Sequence, residues 1–432
     1  MRRHVCALFA AAALAVPLAG DTPASGAAAD RISNQPAATL LLPYFEVALG
    51  KKPGGKQKGV NTVFSVGNAE AFATVARVTL WSDVGIPVAA FDLYLTGYDV
   101  QVVDLYEVLS GRLPATASDG QDPTDSISPQ GIVSQDINFA SCAAVLPPPE
   151  SLGADFAAHV QAALSGQPSP LLGNLCAGRD HGGKKRVARG FVTVDVATQC
   201  SALLPDGPGY FINGGVGVAG NQNQLWGDWF VGDKKRLRGD AMVHLRADAL
   251  DPDTNAAGAY TFYMRHVANS GADNRQPLAT NFAGRFTNDR KDRLFPGGSS
   301  IVAWRDPKVA ATDPFDCGSP PAWFPLAQEQ IVVFDEEENP EEPAPQLTPF
   351  PGATQSVRIG GPELPALAAR GWIFLNLNTA VAGQAGSVSD PAAAQAFVTL
   401  VHEARGGSTA VRANPLDSAV GASANHSPIV VP

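Results

Sequence analysis

Residues 39–109 carry the clearest pattern of apolar and polar positions in the chain. Residues 39–49 are an almost unbroken apolar run, and residues 61–68 set Phe64 and Val66 against Val63, Ser65 and Gly67. Residues 74–81 place Val75, Arg77, Thr79 and Trp81 on one side and Ala76, Val78 and Leu80 on the other; residues 91–95 and 100–105 continue in the same way. A period of two puts alternate side chains on opposite faces of a half-buried strand, and strands this closely spaced predict a β-sandwich. A second stretch, residues 189–377, yields further strands at 191–196, 226–231, 241–247, 259–266, 300–304, 330–335, 356–359 and 372–377.

Helical periodicity is rare. Residues 151–164 make the best helix: Ser151 can cap it, Leu152, Phe156 and Val160 recur at four-residue spacing, and Gly166 ends it. Residues 119–130 read as a polar loop and residues 335–352 as an exposed, acidic, proline-rich one. Residues 390–405 open like a helix at Asp390-Pro391, yet residues 397–401 favour a closing strand. The 43 glycines and 35 prolines support many strands joined by turns, because both residues interrupt helices and serve tight turns. The expected class is therefore mainly β, with sandwich layers in two packed domains and one short helix in the connecting region. The expected division is a signal peptide at 1–29, an N-terminal β-sandwich region at 30–115, a loop and helix connector at 116–188, and a C-terminal β-rich domain at 189–432.

The leader alters the context. Met1-Arg2-Arg3-His4 precede an uncharged, largely apolar run over residues 5–20, and Ala27-Ala28-Ala29 fits the small-residue cleavage pattern. That run falls short of the roughly 20 residues needed to span a bilayer. The expectation is export by the general secretory route of a bacterium, to the periplasm, the outer surface or the medium, with no transmembrane anchor. Asp21 stands where a lipoprotein would need cysteine. The net charge of −10 argues against nucleic acid as a partner, since backbone binding needs a basic footprint. Beyond Cys6 in the leader, Cys142, Cys176, Cys200 and Cys317 remain, and an even number in an exported chain reads as two disulfides. Spacing does not choose among the pairings; the expectation is Cys142 with Cys176 and Cys200 with Cys317.

Candidate chemistry is sparse. Asp251, Asp253 and Asn255 offer alternating oxygen ligands for calcium, although Ala256 and Phe262 occupy the positions where an EF-hand needs glycine and glutamate. No other cofactor is expected. Trp226 and Trp229, flanking Asp228, are candidates for a sugar-stacking surface. Gly215, Gly217 and Gly220 match the spacing of a dinucleotide turn, but no helical run follows, so a loop between strands is the simpler reading. Two basic clusters, at 184–186 and 234–236, and the tripeptide Arg238-Gly239-Asp240 read as loop or strand-edge features. None of G-x-S-x-G, H-E-x-x-H or S-x-x-K occurs. His244 and His266 fall in strand-like runs. The composition therefore favours a noncatalytic envelope or secreted protein that contacts another protein or a glycan, with a hydrolase of dispersed Asp, Glu and His residues as the alternative.

Four runs in the first half, Leu41-Leu42-Pro43-Tyr44-Phe45-Glu46-Val47, Asn61-Thr62-Val63-Phe64-Ser65-Val66, Val78-Thr79-Leu80-Trp81-Ser82-Asp83 and Tyr94-Leu95-Thr96-Gly97-Tyr98-Asp99-Val100, resemble a group of uncharacterised exported β-rich bacterial proteins. Leu225-Trp226-Gly227-Asp228 and Gln330-Ile331-Val332-Val333-Phe334-Asp335 resemble the same group. The resemblance implies export, one continuous architecture and the strand reading near Phe397; it supplies no activity, ligand or catalytic residue. The first stretch is also similar to surface-exposed immunoglobulin-like modules, a likeness of fold alone.

Overall fold

The computed structural model describes residues 35–50, 59–114, 153–182, 186–199, 201–233, 237–256, 261–267, 271–306, 313–344, 347–378 and 395–416. Among these, nineteen strands form four antiparallel sheets. In the first sheet the order is β5 (Val100–Asp104), β2 (Asn61–Asn68), β8 (Asp228–Gly232) and β9 (Leu237–Ala241), with β7 (Leu225–Trp226) also on β2. The second runs β10 (Val243–Leu245), β1 (Thr39–Ala48), β6 (Val187–Ala197), β3 (Thr74–Ser82) and β4 (Pro87–Leu95). The third runs β15 (Thr354–Arg358), β12 (Gly298–Arg305), β17 (Ala396–Ala404) and β18 (Gly407–Arg412). The fourth runs β14 (Pro340–Glu341), β13 (Gln330–Phe334), β16 (Arg370–Asn376), β11 (Asn281–Thr287) and β19 (Asn414–Pro415).

Alternation along the strands shows how these sheets stack. Leu40, Leu42, Ala76, Val78, Leu80, Val192 and Val194 join Phe64, Val66, Trp229 and Val231 of the first sheet in one core. Leu41, Trp81 and Phe191, from the opposite face of the second sheet, join Trp304 and Phe397 of the third in an aromatic core. Ile301, Ala303, Val398 and Leu400 then meet Phe282, Phe286, Ile373 and Leu375 of the fourth. The molecule is thus two β-sandwiches packed face to face, and the second sheet is covered on both sides. Double coverage explains why β1 reads as a near-continuous apolar run rather than a strict alternation.

The first sandwich does not end at residue 115. β6, which starts at the end of the connector, and β8 and β10, which lie beyond it, pair with β1, β2 and β3, and β9 pairs with β8, so the first sandwich extends to Leu245. Non-consecutive pairing of this kind leaves no mark on local periodicity. The strand preferred near Phe397 is present as β17.

Several local expectations are corrected. Residues 100–105 continue past β5 into α1 (Leu105–Leu109), because Asp104 accepts hydrogen bonds from the backbone N–H groups of Tyr106 and Glu107 and caps a turn of helix. The connector helix is α2 (Ala154–Ala163), with Gly153 at its N-cap and no side-chain cap; Ser151 lies outside the described residues. It presses Val160 and Ala163 into the first core, with Phe156 packed against it. The expected strand at 259–266 is instead irregular where described, ending in a tight turn at Met264–His266. There, Asp273 accepts from the Tyr263 N–H and Gln395 donates to the Phe262 carbonyl, so side chains satisfy backbone groups a ladder would have paired. The acidic loop folds back at Glu338 to place β14 beside β13. Among the described residues, no helix is long and apolar enough to cross a membrane.

Candidate functional site

A cleft of about 450 Å³ lies where the two sandwiches meet. The first sandwich contributes Tyr44 and Glu46 from β1, Arg189 from β6, and Arg179 and His181 from the loop before β6. The second contributes Thr354, Gln355, Ser356 and Val357 of β15, together with Thr348, Pro349, Pro351 and Glu363.

Four consecutive β15 residues line this space. Side chains of neighbouring strand residues point to opposite faces, so a cavity touching all four runs along the strand's edge. Among the described residues, β15 is the outermost strand of the third sheet and has β12 on one side only. Arg305 N–H donates to the Ala353 carbonyl and Ile359 N–H to the Ser299 carbonyl, which fixes residues 353, 355, 357 and 359 as those bonded to β12. The intervening residues, 354, 356 and 358, direct their main-chain groups outward. Thr354 N–H finds the Asp83 carbonyl at 3.4 Å and the Arg358 carbonyl takes Gly361 N–H, whereas the N–H and C=O of Ser356 meet no partner among the described residues.

The charged groups are organised around two carboxylates. Asp83, with its side chain only 3% exposed, accepts from the Arg179 backbone N–H at 3.0 Å, from Arg179 Nε at 2.7 Å and from His181 Nε2 at 2.8 Å. Burial works against its charge, but the Arg179 guanidinium and His181 outweigh that cost and hold the carboxyl below its ordinary range. Glu46 takes Arg189 on one oxygen at 3.1 Å and the Tyr44 hydroxyl on the other at 3.2 Å. Burial, with Glu46 beside it, pushes the Tyr44 phenol up, so that hydroxyl stays protonated and donates. All four carboxylate oxygens are therefore engaged, while each arginine retains N–H donors beyond these bonds.

A second, smaller space behind the start of β15 is walled by Trp81, Phe191, Phe262, Tyr263 and Trp304, with room for about one water molecule at about 20 Å³. His266 lies against it, half-buried, and burial followed by Arg265 pushes its pKa well below the usual value. It packs as a neutral ring. His244, in β10, is likewise depressed by burial and bonds the Gln35 carbonyl at 2.8 Å.

The residues singled out from sequence do not converge on this cleft. Trp229 is 1% exposed in the first core, whereas Trp226 is 37% exposed on the outer face of the first sheet, so the two do not form one stacking surface. Both arise from strand residues, but β7 and β8 break at Gly227 and set the rings on opposite sides. Asp251 caps the short helix α3 (Pro252–Asn255) by accepting the Asp253 N–H at 2.9 Å, while Asp253 is exposed and Asn255 closes the same turn. Among the described residues, no group of three or more His, Cys, Asp or Glu could hold a metal ion. Gly215, Gly217 and Gly220 lie in a loop that leads to β7 with no helix after them.

Cys176 is bonded to Cys317, in place of both expected pairs. The main chain brings them together, since Cys176 and Phe315 exchange backbone hydrogen bonds of 2.8 and 2.9 Å. Cys142 and Cys200 lie outside the described residues, as do Lys184, Lys185 and the 234–236 cluster. No family model, curated protein or solved structure matches this chain.

Proposed function

We propose that this is an exported, noncatalytic binding protein that holds an extended segment of a partner polypeptide in the cleft, by adding it as a strand to the open edge of β15. The observation that carries the reading is the outward, unpartnered main chain of Ser356 within a cleft long enough to show four consecutive strand residues. Strand addition draws affinity from main-chain hydrogen bonds and specificity from pockets for alternate side chains. Pro349, Pro351 and Val357 supply apolar contacts beside that edge, and the charges facing it are already paired. A polypeptide is favoured over a glycan because, among the described residues, the cleft presents no exposed aromatic face: the aromatic rings lining it are those of His181 and of Tyr44, which is buried. Export is supported by the leader pattern and by the disulfide between Cys176 and Cys317.

The test exploits the orientation of Ser356. Proline there removes an outward N–H and blocks the edge without deleting a bond to β12, whereas alanine keeps the main chain intact. Peptides selected from a displayed random library against the full chain should bind Ser356→Ala normally and Ser356→Pro at least about tenfold more weakly, with unchanged thermal melting. Equal binding by both variants would remove the strand-addition reading. Cleavage of the selected peptides would move the protein to the hydrolytic alternative, with the His181 and Asp83 pair as its first suspects.

A further inference from the structure

Resting on that reading, we infer that the bound segment is the carboxyl terminus of its partner, and that the end of the cleft around Arg179, His181 and Arg189 captures the terminal carboxylate. The argument begins with which end of β15 is closed. The Asp83 carbonyl takes the N–H groups of Ala353 and Thr354 at 2.9 and 3.4 Å, and the Thr354 hydroxyl bonds the Pro43 carbonyl at 2.5 Å. An added strand therefore cannot continue past Thr354. The same Asp83 anchors Arg179 and His181, and Tyr44, next to Pro43, shares Glu46 with Arg189. Two guanidinium groups and the His181 ring thus gather at the blocked end, while Glu363 lies at the other, beside Leu364, which bridges to Ile359.

Direction follows from pairing. Antiparallel pairs are slightly more stable per residue than parallel ones, and every strand pairing in this molecule's described sheets is antiparallel. A segment antiparallel to β15 enters near Arg358 and finishes near Thr354, so its last residue arrives at the arginines. What waits there is an excess of donors over acceptors. Both oxygens of Asp83 and both of Glu46 are occupied, whereas Arg179 uses Nε on Asp83 and keeps its terminal amino groups, and Arg189 keeps the N–H groups not bonded to Glu46. A carboxylate is the acceptor that completes this set, and charge-assisted bonds to arginine are about twice as strong as neutral ones. A chain running through the site would instead bring a neutral amide and would have to turn away at Thr354.

The experiment uses the peptides selected against the full chain, each synthesised with a free C-terminal acid and with a C-terminal amide. The acid should bind about tenfold tighter than the amide to the wild-type protein, and that gap should shrink in Arg189→Gln. That variant spares Arg179, whose bonds to Asp83 hold the loop. Equal affinity of acid and amide, with binding still lost in Ser356→Pro, would overturn capture of a chain end and leave strand addition standing. An undiminished advantage of the acid in Arg189→Gln would place the carboxylate elsewhere and equally overturn the assignment. Failure of every peptide to bind would remove both.

Discussion

Asp273 illustrates how much polar machinery this protein hides. It is fully buried, accepts the backbone N–H of Tyr263 and of Arg275, and is linked through those two residues to a second buried acid, Asp195, which holds the hydroxyls of Thr39, Tyr210 and Tyr263. Burial pushes the Asp273 carboxyl up to about 6, despite the opposing pull of Arg275 and of those hydrogen bonds. The folded protein therefore holds this proton more tightly than the unfolded chain. Between roughly pH 4 and pH 6, stability from this group declines as pH rises, and above the folded pKa the cost of ionisation is fully present. Asp273→Asn cannot titrate, so wild-type stability relative to that variant should fall by on the order of 3 kcal/mol from pH 4 to pH 7. Urea midpoints of both proteins at the two pH values measure it; parallel pH profiles would remove Asp273 as the source. None of this was visible in the sequence, where Asp195 and Asp273 look like any other acids. Their meaning comes from partners as distant as Thr39 and Arg275.

Strands were more legible than the groups they position. β2 and β3 could be read directly because alternation is enforced by a core on at least one face, β1 because both its faces are apolar, and β17 because Phe397 and Val401 sit at even spacing. Residues 259–266 misled for the opposite reason: a β-like composition there is overruled by the side chains of Asp273 and Gln395. The cleft could not be read at all, since its residues run from Tyr44 to Glu363 and an edge strand is defined only by the absence of a neighbour. A pattern also missed lies on the outer face of the first sheet. Trp226 on β7 covers Gly67 of β2, and Phe230 on β8 covers Gly239 of β9, so closely that a Cβ on either glycine would enter the ring. Each glycine is a seat for a cross-strand aromatic. Gly67→Ala should therefore lift Trp226 from the sheet, red-shifting its contribution to the fluorescence and costing about 1–2 kcal/mol from lost packing. A spectrum and urea midpoint identical to wild type would show the ring is not seated there.

The two sandwiches are expected to fold as one unit because they share a buried, largely aromatic layer. Leu41, Trp81, Phe191, Trp304 and Phe397 meet in it, and separating the halves would expose all of them. A second tie reaches across by a different route. The segment following β12 leaves the second sandwich, lays Trp323 and Leu326 into the first core, and is bonded through Cys317 to Cys176 beyond α2. The bridge closes a loop with a sequence separation of 141, so its main effect in the chain-entropy account is on the unfolded ensemble, at about 4–5 kcal/mol. In the folded protein, the backbone hydrogen bonds between Cys176 and Phe315 and the packing of Trp323 hold the same contact without the sulfur bond. The double variant Cys176→Ser/Cys317→Ser should therefore keep the wild-type circular dichroism spectrum, unfold at a markedly lower urea concentration, and still do so in a single transition reported identically by tryptophan fluorescence and circular dichroism. Two separated transitions in that variant would mean that the disulfide, rather than the aromatic layer, couples the sandwiches.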